Sequence, residues 1–113
     1  MGAFDELLSG IYSTTITHVA VMVREVRLRV GVLSRPVTIR IYFDPKRDES
    51  YFCEISEFVR PAGEPDARAQ CRSGPTEAEA LRRAVRMLTE DYEKAVRSGE
   101  LPEDSWLVPG DHR

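Results

Sequence analysis

The residues able to bind a metal ion or act as a nucleophile are few and scattered along this chain. Cys53 and Cys71 each stand in alternation with apolar residues, and the two histidines, His18 and His112, lie far from both in sequence. Structural zinc sites use cysteine and histidine at short, regular spacings, which this chain lacks. We therefore predict that both cysteines are small core residues, and we predict no metal and no cofactor.

Sequence motifs for catalysis are also missing. The chain contains no Gly-rich phosphate loop, nucleophile elbow, Cys–His pairing or His–Glu metal motif. The Ser-Gly steps at Ser9, Ser73 and Ser98 are typical of turns and helix caps. We predict that the protein is not an enzyme and that it has no small-molecule substrate.

A cluster of arginines is the main candidate for binding nucleic acid. Between positions 24 and 40 five arginines face a single glutamate, although the whole chain carries a net charge of −3. Basic side chains beside an aromatic ring on a sheet can hold a phosphate backbone and stack on bases. Charged residues also protect solvated strands from aggregation, so that explanation stays open. The candidate residues are Arg24, Arg27, Arg29, Arg40 and Tyr42.

Apolar residues that exceed the needs of one helix-on-sheet layer indicate a contact surface. Phe52 and Phe58 fall on the outward side of a predicted strand, and Trp106 and Leu107 follow the last helix. They could contact a second subunit or another protein, or they could be core and edge cover within one chain. We expect a homodimer or a protein partner, and nucleic acid is the alternative.

One long amphipathic helix organises the predicted fold. Thr76 and Glu79 form a capping box at its start, and Gly99 and Pro102 end it. The predicted apolar face has residues three and four apart, namely Leu81, Ala84, Val85, Leu88, Tyr92, Ala95 and Val96. Because one side of this helix is apolar, a sheet must cover it.

Alternating apolar residues predict the strands of that sheet. The clearest strand runs from Val37 to Phe43, a second from Tyr51 to Val59, and a short third includes Ala67, Ala69 and Cys71. Before them, the alternation changes phase across Arg24-Glu25. We favour a strand with a β-bulge or a bend, and residues 1–36 could pair within the chain or with another subunit. Near the N-terminus, Phe4, Leu7, Leu8 and Ile11 have the spacing of a short helix.

These elements define an α+β fold: an antiparallel sheet of about four strands, the long C-terminal helix on one face, and a short N-terminal helix. Residues 1–113 are expected to form a single domain, with 42% hydrophobic and 31% charged residues. No apolar run is long enough to cross a bilayer, so we predict a cytoplasmic protein without membrane contact.

From Val37 onward the chain has the order strand, acidic turn, strand beginning Tyr51-Phe52, loop and short strand. A helix follows, opening at Ser73-Gly74-Pro75-Thr76-Glu77-Ala78-Glu79-Ala80-Leu81 and ending at Ser98-Gly99-Glu100-Leu101-Pro102. This pattern resembles the HicB-like antitoxin domain between Val37 and Pro102. The resemblance implies a partial ribonuclease-H-like fold and a toxin as protein partner.

Parts of the family pattern are missing. Residues 103–113 are too few for the DNA-binding segment usual in that family, and residues 1–36 have no counterpart. A ribonuclease-H activity would need several carboxylates around metal ions, and only Asp44 and Glu54 are candidates. We therefore expect a non-catalytic interaction or homo-oligomeric assembly domain, related to HicB-like antitoxins, with nucleic-acid binding as the alternative.

Overall fold

A computed structural model describes residue 10 and residues 19–61 and 72–110. The predicted N-terminal helix, the predicted strand around Ala67–Cys71 and both histidines lie outside the described residues. The elements are β1 (Val21–Leu28), β2 (Val37–Phe43), β3 (Tyr51–Ile55), β4 (Glu57–Val59), β5 (Ser73–Gly74), α1 (Glu77–Arg97), a 3-10 turn (Asp104–Trp106) and β6 (Leu107–Pro109).

The described strands form two sheets. The larger has four antiparallel strands in the order β1-β2-β3-β5, and α1 follows it in the chain, so the predicted α+β architecture is confirmed. Strands β4 and β6 form a second, two-stranded sheet. The core between the larger sheet and α1 contains Val37, Ile39, Ile41, Cys53 and Ile55 from the strands.

The change of phase in β1 is a β-bulge, as we favoured, located between Met22 and Arg24. Val23 is the extra residue there, so Val21 lies opposite Phe43 while Val26 lies opposite Ile39. Both halves of the strand thereby direct valines to the helix side of the sheet. The sequence pattern placed the β-bulge across Arg24-Glu25, one or two residues after its position in the structure.

The predicted strand from Tyr51 to Val59 is interrupted at Ser56. The Ser56 amide donates to the Thr38 carbonyl at 2.9 Å, and the Ser56 hydroxyl accepts from the Thr38 amide at 2.9 Å. After this break β4 leaves the larger sheet and pairs with β6, with Val59 opposite Leu107. The C-terminal strand β6 therefore covers an edge of β4. Edge cover by this segment was one of the two alternatives from the sequence, but the second sheet was not predicted.

Helix α1 begins where the sequence predicted, because the Thr76 hydroxyl accepts from the Glu79 amide at 3.1 Å. The predicted return bond from the Glu79 carboxylate to Thr76 is replaced by ion pairs to Arg82 and Arg83. At the other end the Gly99 and Glu100 amides bind the carbonyls of Val96 and Ala95, which is a Schellman motif.

The buried side of α1 consists mainly of small residues. Ala80, Ala84, Leu88 and Ala95 are buried, and small side chains let the helix backbone lie close to the sheet. Val96, predicted for this face, is 42% exposed because Ala95 occupies the inward position in the last turn. Among the helices in the described ranges, none is long and apolar enough to cross a membrane.

Candidate interaction surface

The side of the larger sheet opposite α1, here called the outer face, carries most of the predicted site residues. Cross-strand pairing places Met22 beside Tyr42 and Phe52, Glu25 beside Arg40, and Arg27 beside Thr38. No element in the described ranges packs across this face as α1 packs across the other. The outer face is therefore mixed, with apolar, acidic and basic side chains in neighbouring rows.

An aromatic pair lies on the outer face of the two middle strands, next to the turn that joins β2 and β3. The rings of Tyr42 and Phe52 stack with centroids 5.3 Å apart and planes at 15°, and the Arg47 guanidinium lies 4.1 Å from the Phe52 centroid. The Tyr42 hydroxyl donates to the Glu54 carboxylate at 3.1 Å. Met22, the neighbour of Tyr42 on β1, is 48% exposed. This patch offers flat apolar area with polar groups at its margin.

Two arginines of the outer face, Arg27 and Arg40, lie beside the same glutamate, Glu25. Glu25 accepts from Arg40 at 3.0 Å, and its other oxygen lies 3.9 Å from Arg27. The hydrogen bond and charge of Glu25 raise the pKa of the Arg40 guanidinium above its ordinary value. Acidic and basic side chains therefore lie side by side on this face, whereas the sequence indicated a cluster of arginines between positions 24 and 40.

The predicted nucleic-acid residues do not all lie together. Arg27, Arg40 and Tyr42 share the outer face, whereas Arg24 lies opposite Ile41 on the helix side and forms an ion pair with Glu77 of α1. The β-bulge separates Arg24 from the others, because it changes which residues of β1 point outward. Arg29 is exposed just beyond the end of β1.

Three of the four predicted interface residues pack in or against the core of their own chain, and one lies on the outer face. Trp106 and Leu107 are 2% and 5% exposed and belong to the core of their own chain, so they are not available to a partner. Phe58 is half-buried against this core, with the Arg72 guanidinium 5.6 Å from its ring. Of the four, Phe52 remains as the contact candidate on the outer face.

The outermost strand of the larger sheet is a feature the sequence did not single out. β1 has eight residues and occupies one end of the strand order, and no strand within residues 19–61 and 72–110 pairs with its outer side. The unpaired backbone groups of such a strand can bind another strand. Seeing this requires the strand order, which local patterns do not contain.

A polar network around Arg83 ties the start of α1 to the sheet. Arg83 donates to Glu49 at 3.0 Å, to Glu79 at 2.9 Å and to the Ser73 carbonyl at 2.7 Å. The Ser73 hydroxyl also donates to Glu49 at 2.9 Å. The network has a structural role, because it holds the β2–β3 turn, β5 and the helix together.

Three side chains that could act in catalysis or bind a metal, Cys53, Asp44 and Glu54, are buried or hydrogen-bonded within the protein. Cys53 is a free, buried thiol, and burial raises its pKa to about 11. Asp44 is buried and accepts from the Lys46 amide at 3.0 Å, while Glu54 accepts from Tyr42. Within the described ranges, no group of three or more His, Cys, Asp or Glu residues is arranged to hold a metal ion.

One open depression of about 410 Å³ lies between the two sheets, lined by Arg35, Pro36, Ser56, Glu57 and Pro109. Arg35 donates to Glu57 at 3.4 Å and to the Leu107 carbonyl at 3.3 Å. The Ser56 hydroxyl already accepts from Thr38. The polar groups of this depression therefore join β4 and β6 to the turn before β2.

No protein-family model, curated protein or solved structure matches this chain.

Proposed function

We propose that this chain is a non-catalytic protein-interaction domain that assembles with further copies through its larger sheet. The main observation in support is that α1 covers only one side of this sheet. The exposed Met22 and the stacked rings of Tyr42 and Phe52 lie on the other side, the outer face. A sheet with apolar residues on both sides gains free energy when the second side is covered. The mixed charges of Glu25, Arg27 and Arg40 suit contact with another protein.

The HicB-like resemblance is part of this proposal. Its support is the order of β2, β3, β5 and α1 between Val37 and Pro102, with the capped helix start at Thr76. A toxin would then be a second protein partner. A cytoplasmic location also belongs to the proposal and agrees with the free thiol of Cys53.

Sedimentation velocity over protein concentrations from about 1 µM to about 1 mM tests the assembly, because a weak interface shows itself only in such a range. We expect the weight-average mass to rise from monomer towards dimer. A strict monomer throughout this range contradicts homo-assembly.

Nucleic-acid binding is the second candidate, and the stacked Tyr42–Phe52 pair beneath Arg47 favours it. Binding of single- and double-stranded oligonucleotides, measured by fluorescence anisotropy, should weaken as salt rises if arginines contact phosphates. The double substitution Arg27→Glu and Arg29→Glu should then abolish binding. The matched control is Arg82→Glu with Arg86→Glu on the exposed side of α1. Absence of binding at low salt excludes this candidate.

A further inference from the structure

The backbone of β1 directs the amides and carbonyls of Glu25 and Arg27 away from its own sheet. The amide and the carbonyl of Thr38 both hydrogen-bond to Ser56, so they point towards β3. Since successive residues of a strand point these groups to opposite sides, Ile39 directs its own towards β1, where Val26 lies opposite. The backbone groups of Val26 therefore bond to β2, and those of Glu25 and Arg27 point to the outer edge of β1, where no strand of residues 19–61 and 72–110 pairs.

The side chains at this edge follow a simple order. Glu25 and Arg27 lie on the outer face, while Val26 lies on the helix side opposite Ile39. Val23 and Leu28 pack against the core, but Val26 is half-buried and does not belong to it. The edge thus carries an apolar residue between an acidic and a basic one.

We propose that a second copy of this chain pairs antiparallel with β1 about a two-fold axis at Val26. Val26 of each copy then faces Val26 of the other, and Glu25 of each faces Arg27 of the other. Both Glu25–Arg27 pairs exchange backbone hydrogen bonds, because these residues have their groups at the edge. This inference rests on the proposed assembly through the larger sheet: it names a second copy as the partner and places the contact at the edge of β1, beside the outer face and not on it.

Charge selects this register over its neighbours. Shifting the two-fold axis to Glu25 places Glu25 against itself, and shifting it to Arg27 places Arg27 against itself. An axis at Leu28 sets Arg27 of each copy against Arg29 of the other. Like charges directly opposite destabilise a strand pair, whereas opposite charges stabilise it. The register centred on Val26 alone among these brings no like charges together.

The pairing also extends charge rows already present in the protomer. Arg40 and Glu25 are adjacent on the outer face at 3.0 Å, and Arg27 of the second copy continues that row. Positive, negative and positive side chains then alternate across the junction of the two sheets. The β-bulge at Val23 limits regular pairing to about the second half of β1, so we expect a weak dimer with a Kd in roughly the micromolar range.

Cysteine substitution tests the register directly. In an antiparallel pair that is not hydrogen-bonded the Cα atoms lie about 4.5 Å apart, within the range that a disulfide requires. Val26→Cys should therefore form a cross-linked dimer under mild oxidation, in a Cys71→Ser background with the buried Cys53 retained. Leu28→Cys, half-buried on the same side of β1, is the matched control and should form no disulfide cross-link, because Leu28 would face Arg24 of the second copy.

Charge reversal provides the second test. Arg27→Glu should weaken the dimer by about tenfold, because two attractive pairs become repulsive. Adding Glu25→Arg to Arg27→Glu should restore much of the affinity. Arg29→Glu makes the same charge change two residues further along and should have little effect. Arg27 suits this test because its side chain is 68% exposed, so folding is maintained.

The outcomes separate this inference from the proposed function. A dimer that cross-links through Glu25→Cys, Arg27→Cys or Leu28→Cys in place of Val26→Cys overturns the pairing and leaves assembly intact. A dimer that is insensitive to Arg27→Glu does the same. A strict monomer at all concentrations overturns both.

Discussion

The hydroxyl of Tyr92 accepts a hydrogen bond from the backbone amide of Val32 at 3.1 Å, which joins α1 to the turn after β1. The Tyr92 ring also meets Trp106 edge-on, with centroids 5.7 Å apart. Gly31 lies against this ring with a φ of +53°, so that a side chain there would overlap Tyr92. One aromatic side chain thereby fixes the position of a tight turn and of the C-terminal segment.

Gly31→Ala should destabilise the protein by more than Gly99→Ala. Both glycines have a positive φ, a conformation that costs alanine roughly 1–2 kcal/mol of folding free energy. Of the two, only Gly99 has open space for a side chain. Urea unfolding gives the two free energies of unfolding. In a Tyr92→Ala background the additional effect of Gly31→Ala should shrink, because the overlap is removed. Equal effects of the two glycine substitutions would contradict the contact.

Arg83→Ala should lower the free energy of unfolding by about 1–2 kcal/mol, since it breaks hydrogen bonds to Glu49, Glu79 and the Ser73 carbonyl. Arg82→Ala is the matched control: it also removes an arginine bound to Glu79, but its side chain is 65% exposed. Its effect should stay within about 0.5 kcal/mol. If chemical denaturation gives the same loss for both, Arg83 is only a surface residue.

Asp104→Asn should make the stability of the protein less dependent on pH in the acid range. Hydrogen bonds from the Ser34 hydroxyl and amide hold the pKa of the Asp104 carboxyl below its ordinary value of 3.8. The carboxylate therefore stabilises the folded state above that value, and this contribution is lost as the pH falls through the lowered pKa. We expect the Tm of Asp104→Asn to lie below that of the unsubstituted protein at neutral pH and to converge with it in acid. Glu100→Gln, at an exposed position, serves as control. A constant difference in Tm would disprove this linkage.

Cys53 should react slowly with iodoacetamide in the folded protein. With its pKa raised to about 11 by burial, its thiolate is scarce. At about pH 8 the rate should be on the order of 100-fold below that of a free thiol. The measurement uses a Cys71→Ser variant, and the same variant unfolded in urea is the reference. Rapid labelling of the folded protein would mean that Cys53 is accessible.

Local sequence signals predicted the main elements of this fold. The alternation of Val37, Ile39, Ile41 and Phe43 appears as a strand with these side chains buried, and α1 begins after Thr76 as the cap required. These features depend on residues within a few positions of one another. The β-bulge was visible for the same reason, because it changes the phase of a repeat.

Features that depend on distant residues were not predicted. The break at Ser56 follows from its bonds to Thr38, and β4 then pairs with residues some fifty positions further on. The same limit applies to the candidate site. Glu25 binds Arg40 across two strands, and the position of β1 at the end of the sheet, without a further described strand beside it, follows only from the strand order. Arg24 was grouped with Arg27 because the position of the β-bulge was one or two residues off.

The pairing of β4 with β6 means that the C-terminal segment is a folding determinant in its own right. Removing residues 104–109 would take Trp106 and Leu107 out of the hydrophobic core and leave β4 without its partner. A shortened chain ending just after α1 should consequently be prone to aggregation and proteolysis, although it would retain the whole larger sheet. Any expression tag or fusion partner at this end must therefore leave β6 its place beside β4.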